Sequence, residues 1–176
     1  MERSHQAASE RAGETDMIEN GYSYGSSDLA LLLIKRSYNE LTDRESVVIR
    51  AFLEARGALY DRFEFSLRVG TGIAPDPEHL PGVQANTAHS SRKRIDILLW
   101  QGDQPTIVEA KERITPAVLG QLLTYRHLLL EDRPGIKEPI LTAIGRYSDD
   151  DTIRVLQAGG VNVYTYTPDD GTGSAL

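Results

Sequence analysis

Three charged side chains are spaced for metal-dependent chemistry along two apolar segments: Asp96 on the first segment, and Glu109 and Lys111 on the second. If both segments are strands, Lys111 shares the face of Glu109, because side chains alternate along a strand. Two carboxylates beside one lysine in apolar strands are costly to bury unless a cation offsets their charge. Mg²⁺ or Mn²⁺ would do so, since hard cations prefer oxygen ligands. The spacing therefore predicts a divalent metal held by Asp96 and Glu109, an arrangement suited to acting on a phosphodiester.

The elements that must position these residues are two strands joined by a tight turn. Residues 94–100 and 105–111 are rich in Ile, Leu, Val and Thr, a composition typical of strands. A two-residue hairpin loop at 102–103 would begin with glycine, which such turns favour, and would put Asp96 directly opposite Glu109. Opposed side chains in antiparallel strands lie about 4.5–5.5 Å apart at Cβ, where like charges are destabilising. A longer loop would make the pair diagonal instead.

A helix is predicted over residues 115–131, starting with a Thr-Pro pair that suits an N-cap followed by proline at the first helical position. Gln121 and Tyr125 lie four residues apart on this helix and share one face. The apolar stripe of the helix, which ends at Leu129, follows the same face. Tyr125 is therefore either a core residue or part of the site, and the spacing leaves both roles open.

The order of these motifs resembles the PD-(D/E)xK nuclease superfamily. The motifs follow one another as in that family. A helix that carries Glu45 comes first, then a strand with Asp96, a strand with Glu-Ala-Lys at 109–111, and a helix with Gln121 and Tyr125. The string at 107–129 is similar to the equivalent region of archaeal mismatch and Holliday-junction nucleases and of type I restriction motor subunits. The resemblance covers roughly residues 42–166. Ile95 stands where the family pattern has proline, a departure the family often tolerates.

The resemblance implies roles for the matched residues. Asp96 and Glu109 would bind Mg²⁺ or Mn²⁺, with the carbonyl of Ala110 as a further ligand, and the ion would lower the pKa of a bound water. Lys111 would orient that water or stabilise charge in the transition state. A lysine beside two carboxylates should stay protonated, so electrostatic work fits it better than general-base work. Gln121 and Tyr125 would complete the catalytic set by touching the site or the nucleic-acid backbone.

Glu45 is the candidate third carboxylate of the metal site. It lies one turn before Val48, at the start of a predicted helix, and can share the core-facing side of that helix. It is also the last residue of a Thr-x-x-Glu capping box that begins at Thr42. Capping alone and metal binding remain equally good interpretations of Glu45. Glu54 is a weaker alternative ligand, because it lies off the apolar stripe.

The net charge of −7 argues against a broad electrostatic grip on nucleic acid. Positive charge is locally dense at residues 92–94, next to the predicted metal site. Contacts to DNA phosphates are expected from four arginines near that site in the sequence, although solvated roles are as plausible for some of them. These residues are Arg92, Arg94, Arg113 and Arg126. DNA binding should accordingly depend on salt through a few contacts.

The chain divides into a flexible N-terminal tail at 1–26, one domain at 27–167 and a polar C-terminal tail at 168–176. A hairpin-rich first half followed by β-α alternation implies a mixed sheet with helices on both faces. This α/β class agrees with the restriction-endonuclease-like three-layer α/β/α sandwich of the family resemblance. The remaining predicted elements are an apolar run of uncertain type at 29–34, a helix at 42–57, a strand at 62–69, a long loop at 70–91, a strand at 139–145, a helix at 149–158 and a strand at 161–166.

The function expected from these features is metal-dependent hydrolysis of DNA, in defence, repair or recombination. The alternatives are a non-catalytic nucleic-acid-binding or scaffolding domain and an RNA nuclease. No apolar run reaches membrane-span length, so no membrane partner is expected. A polar N-terminus without a signal-peptide core and the absence of cysteine fit a cytoplasmic protein. With no motor or recognition domain, the chain is expected to act as a homodimer or as a subunit of a larger complex.

Overall fold

A mixed β-sheet whose strands follow the order of the chain forms the framework of the computed structural model. The structure describes residues 16–18, 21–74, 76–78, 80–166 and 174–175. Neighbouring strands are antiparallel except for two parallel pairs, between β5 and β6 and between β6 and β7. The strands are β1 (Asp16–Ile18), β2 (Gly21–Gly25), β3 (Arg62–Val69), β4 (Lys93–Gln101), β5 (Gln104–Arg113), β6 (Ile140–Tyr147), β7 (Val161–Thr165) and β8 (Ser174–Ala175).

Helices cover both faces of this sheet and bury a separate apolar core on each. The helices are α1 (Leu29–Ile34), α2 (Asp43–Arg56), α3 (Pro81–Ser91), α4 (Ala117–Asp132) and α5 (Asp150–Ala158), with short 3-10 turns at Ser26–Asp28 and Gly57–Leu59. On one face, Phe52 of α2 packs with Phe63 of β3 and Ile97 of β4. On the other face, Leu122 of α4 and Leu156 of α5 pack with strand residues that include Leu98. The predicted α/β class and mixed sheet are therefore confirmed.

None of the helices in the described part of the chain combines the length and the apolar character that crossing a bilayer requires.

The predicted N-terminal tail at 1–26 is wrong for its last residues. Gly21–Gly25 forms β2, which pairs with β3, and Tyr24 is buried with its ring against Phe65, 5.7 Å between centroids. Two tyrosines at alternate positions are enough for a short strand, but the segment is too short to show clear periodicity. Residues 16–18 pair with β2 as β1, and residues 1–15, 19 and 20 lie outside the described residues.

The predicted C-terminal tail at 168–176 also needs correction, at two residues. Ser174–Ala175 forms the short edge strand β8, which pairs with Tyr164 and Thr165 of β7. Residues 167–173 and 176 lie outside the described residues. A two-residue strand carries no sequence signal of its own, because its position depends on the backbone of the neighbouring strand.

The predicted loop at 70–91 contains helix α3 in its second half. Pro81 occupies one of the first two helical positions, where its missing N–H is not needed. None of the described side chains of α3 is buried, so the helix has no apolar stripe from which periodicity could have revealed it. Two polar links tie its C-terminal end to the strands: Arg92 Nε donates to the carbonyl of Gly70, and Arg68 Nη1 donates to that of Ser90.

The regular alternation of β3 and β4 is interrupted at one pair of facing positions. Phe65 and Ile97 pack in the core on the α2 side, whereas Leu67 and Ile95, two residues further along, pack in the core beneath α4. A regular strand would keep residues two apart on the same face. Between them lies Ser66, whose φ of 54° is uncommon for a residue other than glycine. Asp96 lies across from Ser66 on β4. The pairs on either side of these two residues are formed, but Ser66 and Asp96 themselves are not paired.

Candidate active site

The strands β4 and β5 separate at the predicted catalytic carboxylates. Their pairing runs from Gln101 and Gln104 to Ile97 and Val108, as the hairpin register predicted, and stops one position before Asp96. Beyond that point β4 stays with β3, and β5 stays with β6. The carboxylate of Asp96 bridges the gap, because its Oδ2 accepts a hydrogen bond of 2.9 Å from the backbone N–H of Ala110. The open end of the hairpin thus brings the predicted ligands together.

Both central carboxylates are buried, and one cation lies against them. Asp96 is 3% exposed and Glu109 is 1% exposed. Lys111 Nζ lies 2.6 Å from Glu109 Oε1 and 3.7 Å from Oε1 of Glu45 on α2. On the other side, Arg94 Nη2 lies 3.8 Å from Asp96 Oδ1. The structure therefore groups Glu45, Asp96, Glu109 and Lys111. The sequence predicted this for Asp96, Glu109 and Lys111 and left Glu45 open.

Burial dominates the ionisation of these groups. It raises the pKa of Glu109 to about 7, with a further increase from the neighbouring Asp96 and an opposing effect from Lys111. Burial also raises the pKa of Asp96, against the influence of Lys111 and of the Ala110 N–H. Burial alone would lower the pKa of Lys111, but Glu109 and Asp96 outweigh it, so the pKa rises. Lys111 is thus a protonated ammonium at neutral pH and is unsuited to act as a general base.

One oxygen of Glu109 has no partner. Oε2 of this residue is buried without a hydrogen bond, and it is the only such carboxylate oxygen in the described part of the chain. Buried polar atoms are nearly always paired, so an exception calls for an explanation. Its neighbour Asp96 is also a carboxylate, and the two can be joined only by a shared proton or by a cation. Hard oxygen donors of this kind suit Mg²⁺ or Mn²⁺.

Glu45 serves as a helix cap and also faces the site. Its Oε2 accepts hydrogen bonds from the backbone N–H and the hydroxyl of Thr42, at 3.0 and 2.9 Å, which completes the predicted capping box. Its Oε1 is the atom directed towards Lys111. The two interpretations of Glu45 are therefore compatible, because each uses a different oxygen.

The side chains as they stand do not form a three-residue metal cluster. Among the described residues, no group of three Asp, Glu, His or Cys side chains converges closely enough to hold an ion. The ammonium of Lys111 lies between Glu109 and Glu45 and supplies the positive charge in that space. The donors fit a hard cation in kind, with Asp96 and Glu109 buried side by side and Glu45 beyond the lysine.

Gln121 and Tyr125, the motif on α4, lie on the side of the helix that faces the carboxylates. Tyr125 is 7% exposed and belongs to the core under α4, while Gln121 Nε2 lies 3.5 Å from its hydroxyl. Burial raises the pKa of Tyr125, and the charges of Glu109 and Asp96 raise it further. The tyrosine is therefore both a core residue and a neighbour of the carboxylates, and its hydroxyl keeps its proton.

Two of the predicted phosphate contacts flank Lys93, the first residue of β4, and each has more than one partner. Arg92 donates to the carbonyls of Gly70 and Arg68 and lies 3.4 Å from Asp132. Its guanidinium therefore joins the two ends of the segment 71–91, which contains α3. Arg94 lies 3.4 Å from Glu40 on one side and faces Asp96 on the other. Arg94 borders the site, whereas Arg92 is turned to the loop.

The other two predicted phosphate contacts differ in position. Arg126 lies 3.4 Å from Glu138, which precedes β6, whereas Glu109 lies beside Ala143 further along that strand. Arg113 is exposed on β5, two residues beyond Lys111, and its guanidinium lies 6.0 Å from the ring centre of Tyr147. Arg113 therefore extends the site along the strand, and Arg126 does not.

Sequence reasoning missed Tyr147 and Glu40. Tyr147 is 50% exposed and faces Arg113 across the parallel pair of β5 and β6. Glu40 binds Arg68 at 2.9 Å as well as Arg94. The strands β5 and β6 are parallel and are joined by a long crossover, so no local sequence pattern fixes their register. The position of Tyr147 beside Arg113 could therefore not be predicted. Glu40 has a φ of 60° in a connecting segment, and nothing in the pattern around it indicated this.

Comparison with protein-family models, with curated proteins and with solved structures gave no match for this chain.

Proposed function

We propose that this protein is a Mg²⁺- or Mn²⁺-dependent nuclease that hydrolyses DNA phosphodiester bonds on a restriction-endonuclease-like fold of the PD-(D/E)xK superfamily. The observation that carries the proposal is the unpartnered, buried Oε2 of Glu109 beside the buried Asp96. The ordered motifs at 96, 109–111, 121 and 125 add support, because the fold brings them to one place.

The roles follow from the positions of the side chains. Asp96, Glu109 and the carbonyl of Ala110 would hold the ion, with Glu45 as an outer carboxylate. The ion would polarise a phosphate oxygen and lower the pKa of a bound water. Lys111 stabilises negative charge on the phosphate as it develops, since it carries a fixed positive charge in a half-buried position.

A scaffolding role is the main rival, and energetics argue against it. Two buried carboxylates and a lysine stabilise a fold poorly, because removing charges from water costs about as much as their attraction returns. Apolar residues would fill the same volume with less loss of stability. Polar groups retained against this cost point to chemistry or binding at the site.

The experiment is a cleavage assay on plasmid, linear duplex, single-stranded DNA and RNA, in Mn²⁺ and in EDTA. DNA should be cut only with metal. Asp96→Asn should abolish cutting, and Lys111→Ala should reduce it by a factor on the order of 10² to 10³. The matched control is Asp103→Asn, whose carboxylate is exposed in the hairpin loop and pairs with Lys137 at 2.8 Å. Binding without cleavage would favour the scaffold, cleavage of RNA alone would favour an RNA nuclease, and cleavage by Lys111→Ala at the wild-type rate would overturn the assignment.

A further inference from the structure

An exposed tyrosine and two arginines lie beside the candidate active site and have no role in either core. The side chain of Tyr147 is half exposed and packs with neither apolar cluster of the described residues. The guanidinium of Arg113 lies over its ring. Arg44, at the start of α2, pairs with Glu112, the residue that precedes Arg113 on β5. These three residues form what is called here the Tyr147 patch.

The patch continues the line of the catalytic strand. Lys111 and Arg113 are two residues apart on β5 and therefore point to the same side. In the parallel register, Lys111 lies beside Gly145 and Arg113 beside Tyr147. Arg44 directly precedes Glu45 on α2. A strand of nucleic acid with one phosphate at Lys111 would thus meet the Tyr147 patch at its next unit.

The partners of the patch residues leave Tyr147 half exposed and the guanidinium of Arg113 without an ion pair in the described part of the chain. Arg113 forms no hydrogen bond or ion pair with another described residue, and its guanidinium contacts the ring of Tyr147. Arg44 is paired with Glu112 at 2.6 Å, yet its side chain is 72% exposed. An exposed ring beside an arginine without an ion pair is a good platform for a planar, electron-rich group.

We propose that Tyr147 and Arg113 form a base-stacking subsite for one unpaired nucleotide next to the scissile phosphate. Aromatic rings bind nucleobases by stacking without regard to sequence, and arginine adds cation–π and phosphate contacts. A base within a duplex is already stacked on its neighbours, so this surface fits only a base that has left the stack. The proposal rests on the proposed nuclease function and narrows its substrate to DNA with a single-stranded stretch at the cleavage point.

The net charge of the chain gives the subsite a specific purpose. With a net charge of −7 the surface as a whole repels nucleic acid. Stacking on Tyr147 provides a contact that does not depend on charge. It would let the protein retain a single strand at salt concentrations that weaken its few phosphate contacts.

The test measures the affinity of wild type, Tyr147→Ala and Tyr147→Phe for a fluorescent single-stranded oligonucleotide and for a blunt duplex, in EDTA. Tyr147→Ala should bind the single strand about tenfold more weakly, within the range that one stacked base contributes, and the duplex as wild type does. Tyr147→Phe keeps the ring and should bind both as wild type does. Circular dichroism and thermal unfolding would show that the variants fold.

Three results would overturn the subsite: equal single-strand affinity in Tyr147→Ala, failure of phenylalanine to restore binding, or an equal loss on duplex. A parallel cleavage assay of the wild type in Mn²⁺ separates this failure from failure of the function. If the wild type cuts DNA and Tyr147→Ala binds normally, only the subsite is wrong. If the wild type neither cuts nor binds DNA, both the function and the subsite are wrong.

Discussion

Lys111 and Glu109 share a 2.6 Å contact between Nζ and Oε1, while the other oxygen of the same carboxylate is buried without a partner. One side of Glu109 is thus neutralised by a residue of its own strand, and the other side faces Asp96. The ammonium and an incoming metal ion would compete to neutralise the same negative charge, and this competition can be tested.

Removing Lys111 should separate metal binding from chemistry. In Lys111→Ala, Mg²⁺ or Mn²⁺ should bind at least as tightly as in wild type, because a competing positive charge is gone. Cleavage should fall by a factor on the order of 10² to 10³, as for loss of one electrostatic contact to the transition state. Isothermal calorimetry and single-turnover cleavage measure the two effects. Metal binding that weakens together with cleavage would mean that Lys111 only holds the carboxylates in place.

The ionisation of Glu109 should make the metal-free protein less stable as pH rises. The ordinary pKa of this carboxyl is 4.5, and in the folded protein it is about 7. Between these values the folded state holds a proton that the unfolded state has released. Stability is therefore fully present below about pH 4.5, falls as pH rises towards 7, and stays low above it.

The matched variant for this effect is Glu109→Gln, which cannot ionise. In EDTA at pH 8 it should unfold at higher urea concentration than wild type, by an amount on the order of 1–3 kcal/mol for an unsatisfied buried group. Adding Mg²⁺ should stabilise wild type and leave the variant unchanged. The same loss of stability between pH 5 and 8 in both proteins would place the titrating group elsewhere.

A third buried carboxylate, Glu64, should be purely structural. It accepts hydrogen bonds from Trp100 Nε1 at 2.7 Å and from both terminal nitrogens of Arg133 at 3.1 and 2.7 Å. Arg133→Ala would leave this carboxylate buried without its main counter-charge and should destabilise the protein by about 3 kcal/mol. Lys137→Ala, which breaks an exposed ion pair, should change stability by less than about 1 kcal/mol. Equal effects in urea unfolding would contradict the assignment.

The two arginines on either side of Lys93 should respond differently to mutation. Arg94→Ala should weaken DNA binding and reduce the log–log salt slope by about 0.9, as for one lost phosphate contact. Arg92→Ala should lower the unfolding temperature and leave the slope unchanged, because Arg92 holds Gly70 and Arg68. Lys93→Ala is the control for general charge loss. A reduced salt slope in Arg92→Ala would instead show that Arg92 contacts a DNA phosphate.

The sequence predicted the positions of the candidate site residues better than the periphery of the fold, for physical reasons. The hairpin at 102–103 fixes the register of β4 and β5 locally, so the approach of Asp96 to Glu109 followed from counting residues. The capping box fixed the start of α2 in the same way. Helix α3 and strand β2 carry no usable pattern, since none of the described side chains of α3 is buried and β2 is only five residues long. The break in pairing at Ser66 depends on a single backbone angle, which residue types alone do not reveal.

Hydrogen bonds join the two ends of the segment 71–91, so its middle part, which contains most of α3, is structurally independent of the sheet. Arg92 and Gly70, together with Ser91 Oγ and the N–H of Ile73 at 2.7 Å, close the excursion at its base. The entropy of closing such a loop grows only slowly with its length, and no described side chain of α3 is needed by either core. The residues between the two joined ends could therefore be lengthened, shortened or exchanged while the sheet and its carboxylates stay unchanged. The closure marks the position where a fused module would be tolerated.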